Sequence, residues 1–302
     1  MISYSEYLDR FFSGTKVQKL SIDAGFSCPN RDGTIGTGGC IYCRNDSFTP
    51  GYCDRNKSVA QQIEEGKRFF SKKYPEMKYL AYFQSYTNTH NPDISYLKKL
   101  YDEALSCEDI LGIVIGTRPD TLPNEVIELL SSISKDRHVF LEIGAETSHD
   151  STLSRINRNH KWKDVELSVL NASEKGIHCG LHLIAGLPGE NKESILETIK
   201  KACALPIETL KIHQLQILYN TPLYNLWKNG KIEVNPYNLE DYLQLCAEII
   251  DLVPSHIVIE RFISQSPPKM VAAPQWNIKN YQFIHRLQNL LKDKVCKTNN
   301  FN

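Results

Sequence analysis

The stretch CPNRDGTIGTGGCIYC, residues 28–43, sets Cys28, Cys40 and Cys43 around a glycine-rich loop in the order C-x11-C-x2-C. Thiolates suit zinc and iron–sulfur clusters. A structural zinc takes four protein ligands, and Cys53 is the nearest fourth candidate, so a four-cysteine zinc site is one reading. A four-iron cluster held by three cysteines is the other, and it leaves one iron open to a small molecule. Gly33, Gly36, Gly38 and Gly39 permit backbone shapes closed to other residues, and their amides can form a nest for negative charge. Cys107, Cys179, Cys203, Cys246 and Cys296 form no C-x2-C pair and read as small buried hydrophobes, so no second cluster is expected.

Strand-like apolar runs lie at 16–24, 78–84, 110–116, 138–145, 177–186 and 209–218. Amphipathic helical patterns separate them at 58–71, 92–105, 123–133, 161–175 and 191–204, with Asn91 read as the N-cap of the second and Pro92 in its first turn. Alternation of this kind predicts a parallel sheet covered by helices. Six units are too few for a closed eight-stranded barrel; an open partial barrel and a doubly wound sheet both fit. In either, functional loops follow the C-terminal ends of strands, which is where the cysteine loop lies. After residue 219 the rhythm changes. Helical patterns at 237–252 and 278–291 flank a strand-like HIVIERF (256–262), and 264–276, with three prolines, reads as an irregular loop. The expected organisation is a barrel over 1–218 and an extension, 219–302, packed on it.

The 302 residues are 41% hydrophobic and 23% charged, as in soluble globular proteins. No run of 18 apolar residues exists and MISYSEYLDRFF lacks the features of a signal peptide, so the expectation is a cytoplasmic protein without a membrane span and with reduced thiols. Net charge is zero but uneven: from Arg261 onward the chain carries +6, and the first 260 residues carry −6. A basic end of this kind attracts phosphate-rich partners, or is simply a solvated helix face.

The cysteine loop, with Tyr42 just before its last cysteine and a position after the first strand, resembles the radical S-adenosylmethionine (SAM) enzymes. The phrases SIDAGFSCPNRDG and GTGGCIYC are similar to the YhcC-like family, related to the radical SAM domain of the Elongator catalytic subunit. The usual spacing is C-x3-C-x2-C; the first gap here is longer. The resemblance spans about residues 14–290. It implies an α/β fold, a partial (β/α)6 TIM-type barrel with a C-terminal α/β extension. It implies that Cys28, Cys40 and Cys43 hold a [4Fe–4S] cluster and that Tyr42 lies near the adenine of SAM. Ser85, Tyr86 and Thr87 of FQSYTNT match the motif whose backbone carbonyls meet the SAM amino group. Glu146 and His182 fall where ribose contacts are expected, and Arg158 matches the arginine that meets the SAM carboxylate. Gly116 stands where related families often carry a glutamate. Asn159 replaces the glycine after that arginine, and asparagine tolerates a left-handed backbone.

Each residue also has a structural reading. Glu142 or Glu146 would cap a helix or pair with Arg155, and a histidine in an apolar strand is usually a satisfied core residue. The implied chemistry is reductive cleavage of SAM by an electron from an external donor, flavodoxin- or ferredoxin-like, and hydrogen abstraction from a substrate. The kinship points to tRNA as partner and to conversion of 5-carboxymethylaminomethyl to 5-aminomethyl on the wobble uridine, with Trp276 and Tyr281 available for stacking. The alternatives are a radical SAM enzyme acting on a small metabolite and a non-catalytic zinc- and RNA-binding protein.

Overall fold

The computed structural model describes residues 3–71 and 76–299, with side chains described as far as Lys294. The Cys296 side chain lies outside the described residues. The six expected runs form strands β1 (Val17–Ile22), β2 (Lys78–Phe83), β3 (Ile110–Thr117), β4 (His138–Glu146), β5 (His178–Ala185) and β6 (Thr209–Gln214), each parallel to the next. The run expected at 209–218 is broken. Its end, β7 (Ile217–Leu218), turns away while the Gln214 amide exchanges hydrogen bonds with the Ser264 backbone. HIVIERF, expected in the extension, supplies β8 (Val258–Arg261), which pairs in parallel with β6 as a seventh strand of the same sheet. The result is a curled, half-barrel α/β sheet with one strand more than the six expected. Within the loop expected at 264–276, β9 (Val271–Ala273) pairs antiparallel with β7.

Alternate strand residues face opposite sides. Leu20, Phe83, Ile115, Leu141, Leu183 and Ile212 belong to the outer core beneath the helices. These are α2 (Val59–Ser71), α3 (Ile94–Ser106), α4 (Asn124–Ser134), α6 (Trp162–Glu174) and α7 (Lys192–Cys203); a short α5 (Asp150–Arg155) precedes α6. The cap of α3 is Asp93 rather than Asn91. Its carboxylate accepts the Ser95 and Tyr96 N–H groups, while Asn91 accepts the Asp93 N–H one step earlier.

The inward positions form layers, as in TIM-type barrels. At the bottom, Leu80, Val114, Phe140 and Val258 meet α1 (Tyr4–Asp9) through Tyr7, Leu8 and the following Phe12. Ser3 and Glu6 close a capping box at the start of α1, and the Tyr7 hydroxyl donates to Glu208 at 2.8 Å. Above this apolar plug lie charged residues: Lys19, Glu142, Lys211 and Glu260, with Tyr82 and His182. Glu142 accepts Lys19, Lys211 (2.8 Å), the Tyr82 hydroxyl (2.6 Å) and His182 Nε2 (2.7 Å). Glu260 pairs with Lys19 at 2.7 Å and Lys211 at 3.3 Å. Buried charges survive only when paired in this way. The top layer opens into the cavity described below.

Beyond the barrel come α8 (Pro222–Lys228), α9 (Leu239–Leu252) and α10 (Asn280–Asn299). The basic end is not an unpaired tail. Arg286 reaches Glu240 at 3.3 Å and Lys294 reaches Asp251 at 3.6 Å, so α10 offsets acids of α9. Trp276 is committed to packing: it stacks on Phe283 and donates to the Tyr237 carbonyl at 3.0 Å, whereas Tyr281 is exposed. Among the described residues no helix is long and apolar enough to cross a membrane.

Candidate active site

The eleven residues between Cys28 and Cys40 fold back on themselves. The Cys28 carbonyl accepts the Arg31 and Asp32 N–H groups at 2.7 and 3.1 Å, Pro29 accepts those of Ile35 and Gly36, and Asn30 accepts that of Gly39. Gly39 has φ +75°, and a Cβ there would fall 2.7 Å from Arg31 Nε. The long gap is thus a compact insertion that returns the chain, and all three cysteines line one cavity at the C-terminal ends of the strands.

A buried asparagine pins the loop to the segment after β4. Asn30 donates to the Asn157 carbonyl and accepts from Asn159 Nδ2 at 2.6 Å, and Asn157 donates to the Gly39 carbonyl at 2.8 Å. Asn157 and Asn159 have φ of 54° and 59°, the left-handed backbone expected for Asn159.

Tyr42, Tyr86, Thr87, Glu146, Arg158 and His182 line the same cavity as the cysteines, as do Gly116, Gly144 and Arg118. Ser85 does not; it is buried with its hydroxyl 3.3 Å from that of Thr49. Tyr86 and Glu146 adopt left-handed φ of 62° and 67°, a conformation costly for such residues and concentrated at functional sites. Arg158 pairs with Glu146 at 3.2 Å and donates to the Gly144 carbonyl at 2.6 Å. Burial works against its charge, but Glu146 and the Cys40 sulfur outweigh this and hold it firmly protonated. Its Nε donates to His160 at 3.0 Å; burial, then Arg158 and Arg118, push that imidazole down to about 2, so it is neutral and able to accept. Neither Glu142 nor Glu146 pairs with Arg155, which donates to the Pro188 carbonyl.

His182 is both a cavity residue and a core partner. Burial raises the Glu142 pKa, but Lys19 and Lys211 outweigh it and keep the carboxylate charged. The hydrogen bond to Glu142 therefore places the His182 proton on Nε2 and leaves the Nδ1 lone pair free.

Sequence reasoning missed Arg118. It is buried, donates to Asp120 (2.6 Å) and to the Arg158 carbonyl (2.8 Å), and its Nη1 has no partner although it lines the cavity. The GTRPD phrase was its only sequence signal.

These residues fit an iron–sulfur cluster better than zinc. Among the described residues no three His, Cys, Asp or Glu side chains are grouped to hold a single metal ion. Cys53, the proposed fourth zinc ligand, donates its thiol to the Ser21 carbonyl at 3.0 Å, and burial followed by Asp23 pushes it up to about 12. Asn30 Nδ2 and Arg158 Nη1 each lie 3.7 Å from the Cys40 sulfur, donors suited to an anionic sulfur. Burial, then Cys40, pushes Cys43 up to about 11, so binding a metal there releases a proton. The orphaned Arg118 Nη1 is a buried donor without a protein partner at this cavity.

Residues 32–202 match the radical SAM superfamily and 207–293 match the Radical_SAM C-terminal domain. The chain is 36% identical to protein YhcC of Escherichia coli (strain K12) over 87% of this chain and 83% of that one. It is 32% identical to YtqA of Bacillus subtilis over 93% of this chain and 86% of that one. A more distant relative, 23% identical over 53% of this chain and 29% of that one, is named tRNA uridine(34) acetyltransferase in Methanocaldococcus jannaschii. In fold, the structure is similar to the archaeal Elp3 of Methanocaldococcus infernus, with TM-score 0.67 and 15% identity, over 93% of this chain and 64% of that longer one. The chain belongs to the radical SAM superfamily, whose enzymes work with a [4Fe–4S] cluster and S-adenosylmethionine.

Proposed function

We propose that this enzyme acts on the wobble uridine of tRNA, releasing the carboxymethyl part of a 5-carboxymethylaminomethyl group as glyoxylate, after its methylene loses a hydrogen atom and an electron and water adds to the resulting C=N bond, to leave 5-aminomethyluridine. The observation that carries this reading is the likeness, over 53% of the chain, to a relative named tRNA uridine(34) acetyltransferase. In this reading Cys28, Cys40 and Cys43 hold the cluster. Arg158 and the unpartnered Arg118 Nη1 bind the SAM carboxylate, the backbone at Ser85, Tyr86 and Thr87 the amino group, Glu146 and His182 the ribose, and Tyr42 the adenine. When bound, cluster and SAM together supply a carbon-centred radical able to take a hydrogen atom, given an electron from a flavodoxin- or ferredoxin-like donor. The chain itself orients both groups.

The test is anaerobic protein with SAM, reductant and tRNA, followed by mass analysis of the wobble nucleoside. Loss of the carboxymethyl mass supports the proposal; an unchanged nucleoside, with SAM cleaved on a small metabolite, refutes it. That second reading is favoured by one observation: Trp276 and Arg286, features expected to meet RNA, are engaged in internal contacts. Salt dependence separates the two, since phosphate contacts give a steep slope.

A further inference from the structure

One wall of the cavity carries a positive charge that the fold leaves unmatched. Lys19 and Lys211 share the two carboxylates Glu142 and Glu260. Arg261 stands beside Lys211 in the register of β6 and β8 and lines the same cavity at its solvent-exposed rim. No ion pair or side-chain hydrogen bond ties its guanidinium to any described residue. Next to it, His213 lines the cavity with Nε2 buried and unpartnered. Burial, then Arg261, His182 and Lys211, hold His213 well below the ordinary histidine range, so it is a neutral ring.

Arg118 follows β3 and Arg158 follows β4, whereas Arg261 ends β8, which is three strands beyond β4. Arg261 is thus presented by a strand other than those that lead to Arg118 and Arg158.

We propose that Arg261, assisted by His213, forms a subsite for a carboxylate borne by the substrate. A single negative charge balances Arg261. The planar guanidinium suits a carboxylate in bidentate fashion, and His213 offers a further ring nitrogen. Ile184, on the same cavity lining, supplies an apolar contact for the carbon chain. A carboxylate fixed there positions the adjoining C–H bonds between Arg261 and the SAM-binding wall. This inference deepens the proposed function and rests on it for the identity of the substrate.

The test is calorimetric binding to anaerobic, cluster-loaded protein in the presence of SAM. Three probes are used: an anticodon stem-loop RNA carrying 5-carboxymethylaminomethyluridine, the same RNA as its methyl ester, and N-benzylglycine. The acid RNA is expected to bind roughly ten- to a hundredfold more tightly than the ester, the range of a charge-assisted hydrogen bond. Arg261→Gln should erase this gap and Arg261→Lys should restore part of it, with iron content and melting temperature checked on both. Acid and ester RNA bound equally, no binding of any probe, or a gap that survives in Arg261→Gln overturns the subsite. If neither RNA binds but N-benzylglycine binds in an Arg261-dependent way, the subsite stands and the tRNA reading falls. If both RNAs bind tightly and equally, the tRNA reading stands and the subsite falls.

Discussion

Arg158 Nη1 lies 3.7 Å from the sulfur of Cys40, while the Nη2 of the same guanidinium meets Glu146 at 3.2 Å. One side chain thus links the cysteine loop after β1 to the residue that ends β4. The planar fork makes this bridge possible, since a lysine offers one point charge and no second direction.

Arg158→Lys should therefore weaken SAM binding by roughly ten- to a hundredfold while leaving the fold intact. Equilibrium dialysis with SAM on cluster-loaded protein measures this. Wild-type affinity in the variant would remove Arg158 from the site.

His160 acts on Arg158 by accepting its Nε proton. His160→Gln keeps an acceptor and should retain most SAM affinity. His160→Leu leaves a buried charged donor unpaired and should lose affinity and lower the melting temperature together. Equal behaviour of the two variants would show that the acceptor does not matter.

Gly144 is a spacing requirement. A Cβ there would fall 2.6 Å from Arg158 Nη2 and 2.9 Å from Glu146 Oε1. Gly144→Ala should displace both side chains and reduce SAM binding about as much as loss of Arg158, with far-UV circular dichroism unchanged. SAM affinity within twofold of wild type would contradict this, with the factor set by about 0.4 kcal/mol.

The charged layer makes stability depend on acid. The folded-state pKa of Glu142 lies below its ordinary value, so its stabilisation is complete above the ordinary carboxylate range and is lost as pH falls through the folded value. Wild-type melting temperature should fall as pH drops below the ordinary carboxylate range, with Glu142→Gln showing a flatter fall. At neutral pH the variant should lose about 3–5 kcal/mol because Lys19 and Lys211 lose a shared partner. Parallel melting curves across this range would argue against the network.

Much of this was legible in the chain. The near-continuous apolar runs marked six strands because both faces of a parallel sheet must be covered. The cysteine spacing marked the loop, and INRNH marked the left-handed turn. The boundary of the barrel was not legible. HIVIERF follows an excursion of about forty residues, and pairing at that separation leaves no local trace. The extended run through Leu218 hid a break made by a tertiary contact, Gln214 to Ser264. The charged layer was overlooked although its signal was present. Lys19, Glu142, Lys211 and Glu260 each interrupt an apolar strand at an inward position, and a charge placed there needs a partner from another strand. Asn30 and Arg118 carried no such signal, since loop asparagines and arginines are common and only the fold reveals which are buried.

The most direct measurement is iron and sulfide analysis of anaerobic protein, with Mössbauer spectra before and after SAM is added. Wild type and Cys53→Ala should each hold about four irons and four sulfides, with one iron site changing when SAM binds. Cys28→Ala, Cys40→Ala and Cys43→Ala should lose most of that iron. Stoichiometric zinc without sulfide, or a cluster whose four irons are all unaffected by SAM, would contradict the account.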